Sequence, residues 1–189
     1  MDQSEALFLV WFGVSNILQQ ILKETSSLLA YSELCLDTQN GFLLISEESI
    51  SRQLIMNIAK LFDNASTCGK TNCSIRYLRE LCINRKDVFV NGADDVTICK
   101  IDDAINRFEE VVSREIRNKK LAHFDFDELY QFRETCIPFD DIIEIVNKLV
   151  VIIEELSNRV KYPPVEYSPI TQYAEYFKKE LIKLQHKEW

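Results

Sequence analysis

Glycine and proline are scarce, four of each in 189 residues. Sandwiches and barrels turn often, and their turns spend glycine, proline or Asn-Gly. The shortage points away from an all-β chain and toward an all-α one. Histidine is scarcer still, two in all. No GxGxxG or GxxxxGK[ST] run is present, so there is no glycine-rich cradle for phosphate. HExxH, an EF-hand loop and the G-x-S-x-G elbow are also missing. Neither histidine has a glutamate three residues before it, as ferritin-type carboxylate sites require. Metal hydrolases, kinases, dehydrogenases and serine hydrolases all lose support, and neither a metal nor a cofactor is expected.

Positive charge is in short supply as well. Lysine and arginine total 22 against 30 aspartates and glutamates, a net charge of −8. Such a surface opposes bulk nucleic-acid binding, which a basic footprint drives by counterion release. It leaves room for a local basic site. There is no long apolar run: Ala6 to Val14 is about half of what spans a bilayer. Asp2 and Glu5 stand where a signal peptide carries lysine or arginine. This run reads as a buried helix in a cytoplasmic protein. The six cysteines read as reduced thiols, because a chain of this size and apolar content (47%) does not need a disulfide framework. Cys68 and Cys73 are the only close pair, and no further ligands are spaced for zinc.

What remains has helical period, in one domain spanning residues 1–189. A first helix is predicted from about Gln3 to Asp37. A second opens at Gly41, with Ile50, Leu54, Ile58 and Leu61 on one stripe. A loop containing Gly69 follows, then a short helix capped by Ser74 with Ile75, Leu78, Leu81 and Cys82 on one face. Val88 to Val90 has strand character. A fourth helix is predicted from Asp102 or Asp103, acids suited to a first turn, to near His123. Pro138 opens a fifth. There Phe139, Val146, Ile153 and Val160 recur every seven residues, with Ile142, Leu149 and Leu156 between them. That seam is either the core of a bundle or a dimer contact. A last amphipathic helix runs from about Pro169 to Lys187. The expected fold is an antiparallel helical bundle of about six helices.

One stretch stands apart, "REIRNKKLAHFDFDELY" (114–130). It gathers Arg114, Arg117, Lys119 and Lys120 just before His123. Histidine moves protons near neutral pH, and arginine binds phosphate through a fixed fork. Together they suit metal-free RNA cleavage, in which a base activates the 2′-hydroxyl and arginine steadies the charged transition state. On an ideal helix six steps turn about 600° and rise about 9 Å, so Arg117 and His123 do not share a face. They converge only if the helix ends between them or a second subunit contributes. Arg114 lies one turn before Arg117, and its structural alternative is a pair with Glu110. Lys119 and Lys120 line an RNA path or are plain solvated surface. Arg76, Arg79, Arg85 and Lys86 form a second basic cluster, more typical of surface than of function. The late aromatics Tyr162, Tyr167, Tyr173, Tyr176 and Phe177 either stack bases or dock onto the bundle.

"IRNKKLAHFD" (116–125) resembles the signature of the HEPN superfamily: arginine, a polar residue, then histidine a few residues on. With "IAKLFD" (58–63) ahead of "NCSIRYLREL" (72–81), the chain resembles the abortive-infection, AbiU-like branch. The resemblance implies a helical bundle that dimerises, so that two Arg/His sets meet in one cleft. It implies a metal-independent endoribonuclease of a toxin–antitoxin or phage-defence system, with RNA as substrate and an antitoxin protein as a further partner. Arg117 would contact the scissile phosphate, His123 would do acid/base work, and Asn118 would orient one of them or bind substrate. Relatives paired with nucleotidyltransferase antitoxins often carry tyrosine two residues after the histidine; here Asp125 stands there, suited to orienting His123 instead. The competing readings are an inactive module of the same fold that binds RNA or a partner protein, and a purely structural bundle.

Overall fold

The structure is a computed structural model that describes residues 3–34, 41–84, 95–112, 137–158 and 167–185. Among these residues lie six helices and one small hairpin: α1 (Gln3–Leu34), α2 (Gly41–Leu61), β1 (Ser66–Thr67), β2 (Lys70–Thr71), α3 (Ile75–Asn84), α4 (Asp95–Val111), α5 (Phe139–Ser157) and α6 (Ile170–Gln185). The all-α expectation holds.

Helix α1 packs against α2, α3, α5 and α6. Val10, Val14, Leu18, Ile21 and Leu22 form its buried stripe. Farther along, Thr25, Ser26 and Ser27 are buried although polar. Their hydroxyls donate to the carbonyls of Ile21 (2.8 Å), Leu22 (2.6 Å) and Lys23 (2.9 Å), so each carries its own partner inside. Helix α2 folds back antiparallel, placing Asn57 beside Glu24. Leu54, Ile58 and Leu61 are buried as the stripe predicts, and Ile50 packs on a second cluster built by Ala30, Tyr31, Leu43 and Leu181. Helix α6 runs parallel to α1: Tyr167 lies near Ser15 at one end and Lys178 pairs with Glu33 at the other.

The Gly69 loop is a hairpin, with Ser66 opposite Thr71 and Thr67 opposite Lys70. Both turn residues are left-handed, Cys68 at φ 51° and Gly69 at φ 75°, as a two-residue turn matching strand twist requires. Asn72 Nδ2 fastens it to the Asn64 carbonyl (2.7 Å) and Thr67 Oγ1 (2.8 Å). Helix α3 then starts where predicted, with Ser74 Oγ accepting from the Tyr77 amide at 3.3 Å.

Helix α4 corrects the prediction. It begins at Asp95, two turns before Asp102, and Asp95 is its first-turn acid. Asp102 and Asp103 are mid-helix and hold cations from its neighbours: Arg79 of α3 and Lys148 of α5. The fifth helix starts after Pro138, whose carbonyl accepts from Asp141 (3.1 Å) and Ile142 (3.3 Å). Its seam is core: Ile142, Val146, Leu149, Ile153 and Leu156 are buried inside the bundle, so the dimer-contact reading of these residues is overturned. Ile145 and Ile152 are buried beside them, which widens the seam beyond two positions per heptad. Cys82 is buried, Cys73 half-buried, and Cys68 and Cys99 exposed, all as free thiols. Val88 to Val90, Ile116, Val160, Tyr162, Cys35 and Cys136 lie outside the described residues.

Candidate functional site

Arg114, Arg117, Asn118, Lys119, Lys120, His123 and Asp125 all fall in residues 113–136, outside the described residues. The described residues build the frame that holds the two ends of that segment. Helix α4 delivers the chain to Val112, which is buried and whose amide donates to the Phe108 carbonyl at 2.7 Å. The chain is next described at Ile137, which packs against the main core ahead of Phe139.

Three sets of ion pairs show that α4 and α5 are antiparallel. Lys100 meets Glu155, Asp103 meets Lys148 (2.5 Å), and Arg107 meets Asp141 (2.6 Å) and Glu144 (2.9 Å). The last turns of α4 therefore lie beside the first turns of α5, and the segment departs from and returns to one end of the bundle. Arg107 is the clamp there. It also reaches Glu110 at 3.6 Å, and its hydrogen bond to Glu144, with the nearby Asp141 and Glu110 charges, holds its guanidinium firmly in the charged form.

The end of α4 is fixed from the other side by an aromatic stack. Phe108 lies on Phe62, ring centroids 4.2 Å apart and nearly coplanar at 6°, both buried. Arg76 of α3 ties the two together: its Nε donates to the Phe62 carbonyl (3.0 Å) and its other end pairs with Glu109. Arg79 pairs with Asp102, one contact at 3.0 Å. The expected second basic cluster is thus partly structural, with Arg76 and Arg79 spent on carboxylates, while Arg85 and Lys86 lie outside the described residues.

The electrostatic consequence is direct. Each described lysine and arginine of α3 and α4 (Arg76, Arg79, Lys100 and Arg107) is held by a carboxylate. Glu109, Glu110, Asp140, Asp141 and Glu144 crowd the same end, which makes the rim acidic. Glu110, the structural alternative for Arg114, already has Arg107. Among the described residues, no group of three His, Cys, Asp or Glu side chains is placed to hold a metal ion. No described helix is long and apolar enough to cross a membrane.

Sequence reasoning missed two polar features. The Glu24 carboxylate is 5% exposed and takes both contacts of Asn57 Nδ2 (2.9 and 3.0 Å) and one from Gln20 Nε2 (2.8 Å). Burial raises its proton affinity, against the pull of those amides and of Lys60. The only trace of this in sequence is a charged residue on an otherwise inward stripe. Tyr167 is the second. Its hydroxyl lies by that of Ser15, neither with a well-formed hydrogen bond, and burial pushes its pKa up to about 12. Of the late aromatics, Tyr167 and Phe177 dock onto the bundle, and Tyr176 is exposed.

Six helices, with α4 and α5 antiparallel on either side of residues 113–136, agree with the helical bundle expected of the HEPN class. The AbiU2 family model of that class matches residues 14–179, and the chain belongs to this family. No curated protein and no solved structure matches it.

Proposed function

We propose that the chain is a metal-independent endoribonuclease of a toxin–antitoxin or phage-defence system, acting through Arg117 and His123 in the cleft of a homodimer. One observation carries the reading. The described cations of α3 and α4 are held by carboxylates, which supports the Arg/Lys-rich segment that follows α4 as the phosphate-binding element. His123 takes the proton of a ribose 2′-hydroxyl, and the freed oxygen attacks the adjacent phosphorus. The 5′-oxygen leaves and receives a proton, giving a 2′,3′-cyclic phosphate and a 5′-hydroxyl end. Arg117 stabilises the charge that develops on the phosphoryl oxygens. Asn118 orients this pair or the substrate, Asp125 orients His123, and Arg114, Lys119 and Lys120 receive the flanking phosphates. DNA, without the 2′-hydroxyl, is inert. The acidic rim repels RNA elsewhere and confines binding to the segment. An antitoxin protein would act by covering it.

The test is cleavage of a mixed single-stranded RNA in excess EDTA. The wild type should yield cyclic-phosphate ends, and His123→Ala should be slower by roughly 10²- to 10⁴-fold, the usual worth of a general acid or base. Equal cleavage by both proteins rules out His123. No cleavage by a folded wild type leaves a module of the same fold that binds RNA or a partner protein.

A further inference from the structure

The first turns of α1 carry apolar side chains on both faces. Val10, Trp11 and Val14 point into the core, while Phe8, Leu9 and Phe12 are 41%, 47% and 55% exposed, with Phe8 stacked on Phe12 at 6.1 Å. A helix apolar all round is ordinarily covered on all sides. Several of the other exposed large apolar residues have charged neighbours in sequence: Ile45 with Glu47 and Glu48, Val96 with Asp95, Val151 with Glu154 and Glu155, Tyr176 with Glu175, and Ile182 with Lys183. From Ala6 to Leu22 there is no charged residue at all.

We infer that the Phe8–Leu9–Phe12 face of α1 is where a second copy of this chain seats, as the homodimer contact that the proposed nuclease requires. The inference rests on that reading and specifies its interface. Charge selects the occupant. A two-fold contact brings a patch against itself, and in a chain of net charge −8 most patches repel their own copies. The uncharged α1 face does not. Its apolar centre is on the order of 250 Å² per copy, from three side chains about half exposed. That is roughly a third of the ~800 Å² per partner in a standard interface. Asn16 and Gln20, exposed on the same stripe, begin a polar rim. Position agrees as well. A Cβ on Gly13 would fall 2.7 Å from Cys73 Sγ, so this part of α1 lies beside the hairpin loop, next to Arg76 and the end of α4. Pairing here places the end of each copy's α4 near the contact.

Sedimentation velocity on the full chain across a concentration series tests this. The wild type should associate, and Leu9→Glu with Phe12→Glu should weaken association by roughly 30-fold or more, as loss of a central anchor does. Ile45→Glu should leave it unchanged. Mixing Phe12→Glu with Phe12→Lys should restore a dimer that neither variant forms alone, a result misfolding cannot produce. A wild type that stays monomeric, an α1 variant that stays dimeric, or a mixture that stays apart each overturns the inference. RNA cleavage in EDTA is read separately: a monomer that cleaves sinks the interface and spares His123, and a dimer that does not cleave does the reverse.

Discussion

Replacing Asn57 with leucine should destabilise the protein chiefly by abandoning Glu24. The carboxylate is 5% exposed and Asn57 is 6% exposed, so water does not replace the lost amide. Asn57 Nδ2 reaches both carboxylate oxygens, at 2.9 and 3.0 Å. A hydrogen bond to a charged group is worth about 1.5–3 kcal/mol, so a loss of about 2–3 kcal/mol at neutral pH is expected. In a chain this long that lowers Tm by roughly 5–10 °C. The pH dependence identifies the cause. Burial raises the Glu24 carboxyl above its ordinary 4.5, so the folded protein holds the proton more tightly than the unfolded chain. Stability at this group is therefore fully present below 4.5 and is lost as pH rises through the folded value. Without the Asn57 amide the folded value climbs further and the loss at neutral pH grows. Urea unfolding of both proteins at pH 7 and at about pH 4 measures this, and the deficit of Asn57→Leu should shrink in acid. Glu24→Gln should remove this group's share of the pH dependence and stay close to wild type at pH 7. A deficit equal at the two pH values, or below about 0.5 kcal/mol, refutes the argument.

Two further changes probe the frame. Phe108→Ala removes half of a buried stack and should cost about 3–5 kcal/mol in urea unfolding, and it should also loosen the end of α4. Ser74→Ala deletes the cap of α3 and should cost about 1 kcal/mol, while Ser74→Asp restores most of it.

The fold was legible wherever local chemistry decides. Ser74 reads as a cap, Pro138 as a helix start, and the Ile142–Leu156 seam as a buried stripe, because each depends on residues a few positions apart. The start of α4 was misread for a physical reason. Asp102 and Asp103 suit a helix N-terminus, but they equally suit cations on adjacent helices, and only tertiary packing says that Arg79 and Lys148 are there. The hairpin gave no signal: its strands are two residues long, and Cys68 is an unusual occupant of a left-handed turn position. The N-terminal apolar run was read as buried, and half of it is. Long-range polar pairs such as Glu24–Asn57 and Arg107–Glu144 have no periodicity to reveal them. The Arg117-Asn118…His123 signature was legible as chemistry, while the acidic residues gathered where α4 ends and α5 begins emerged only from the way the two helices pair.

The order of the helices along the chain has a consequence for synthesis. Ala30 and Tyr31 of α1 are covered in part by Leu181 of α6, the last helix described. At ordinary elongation rates the ribosome needs on the order of 10 s to travel from the end of α1 to α6. Through that interval α1 gains its early partners but lacks its late one. The cluster at that end of the bundle is complete only after the chain is.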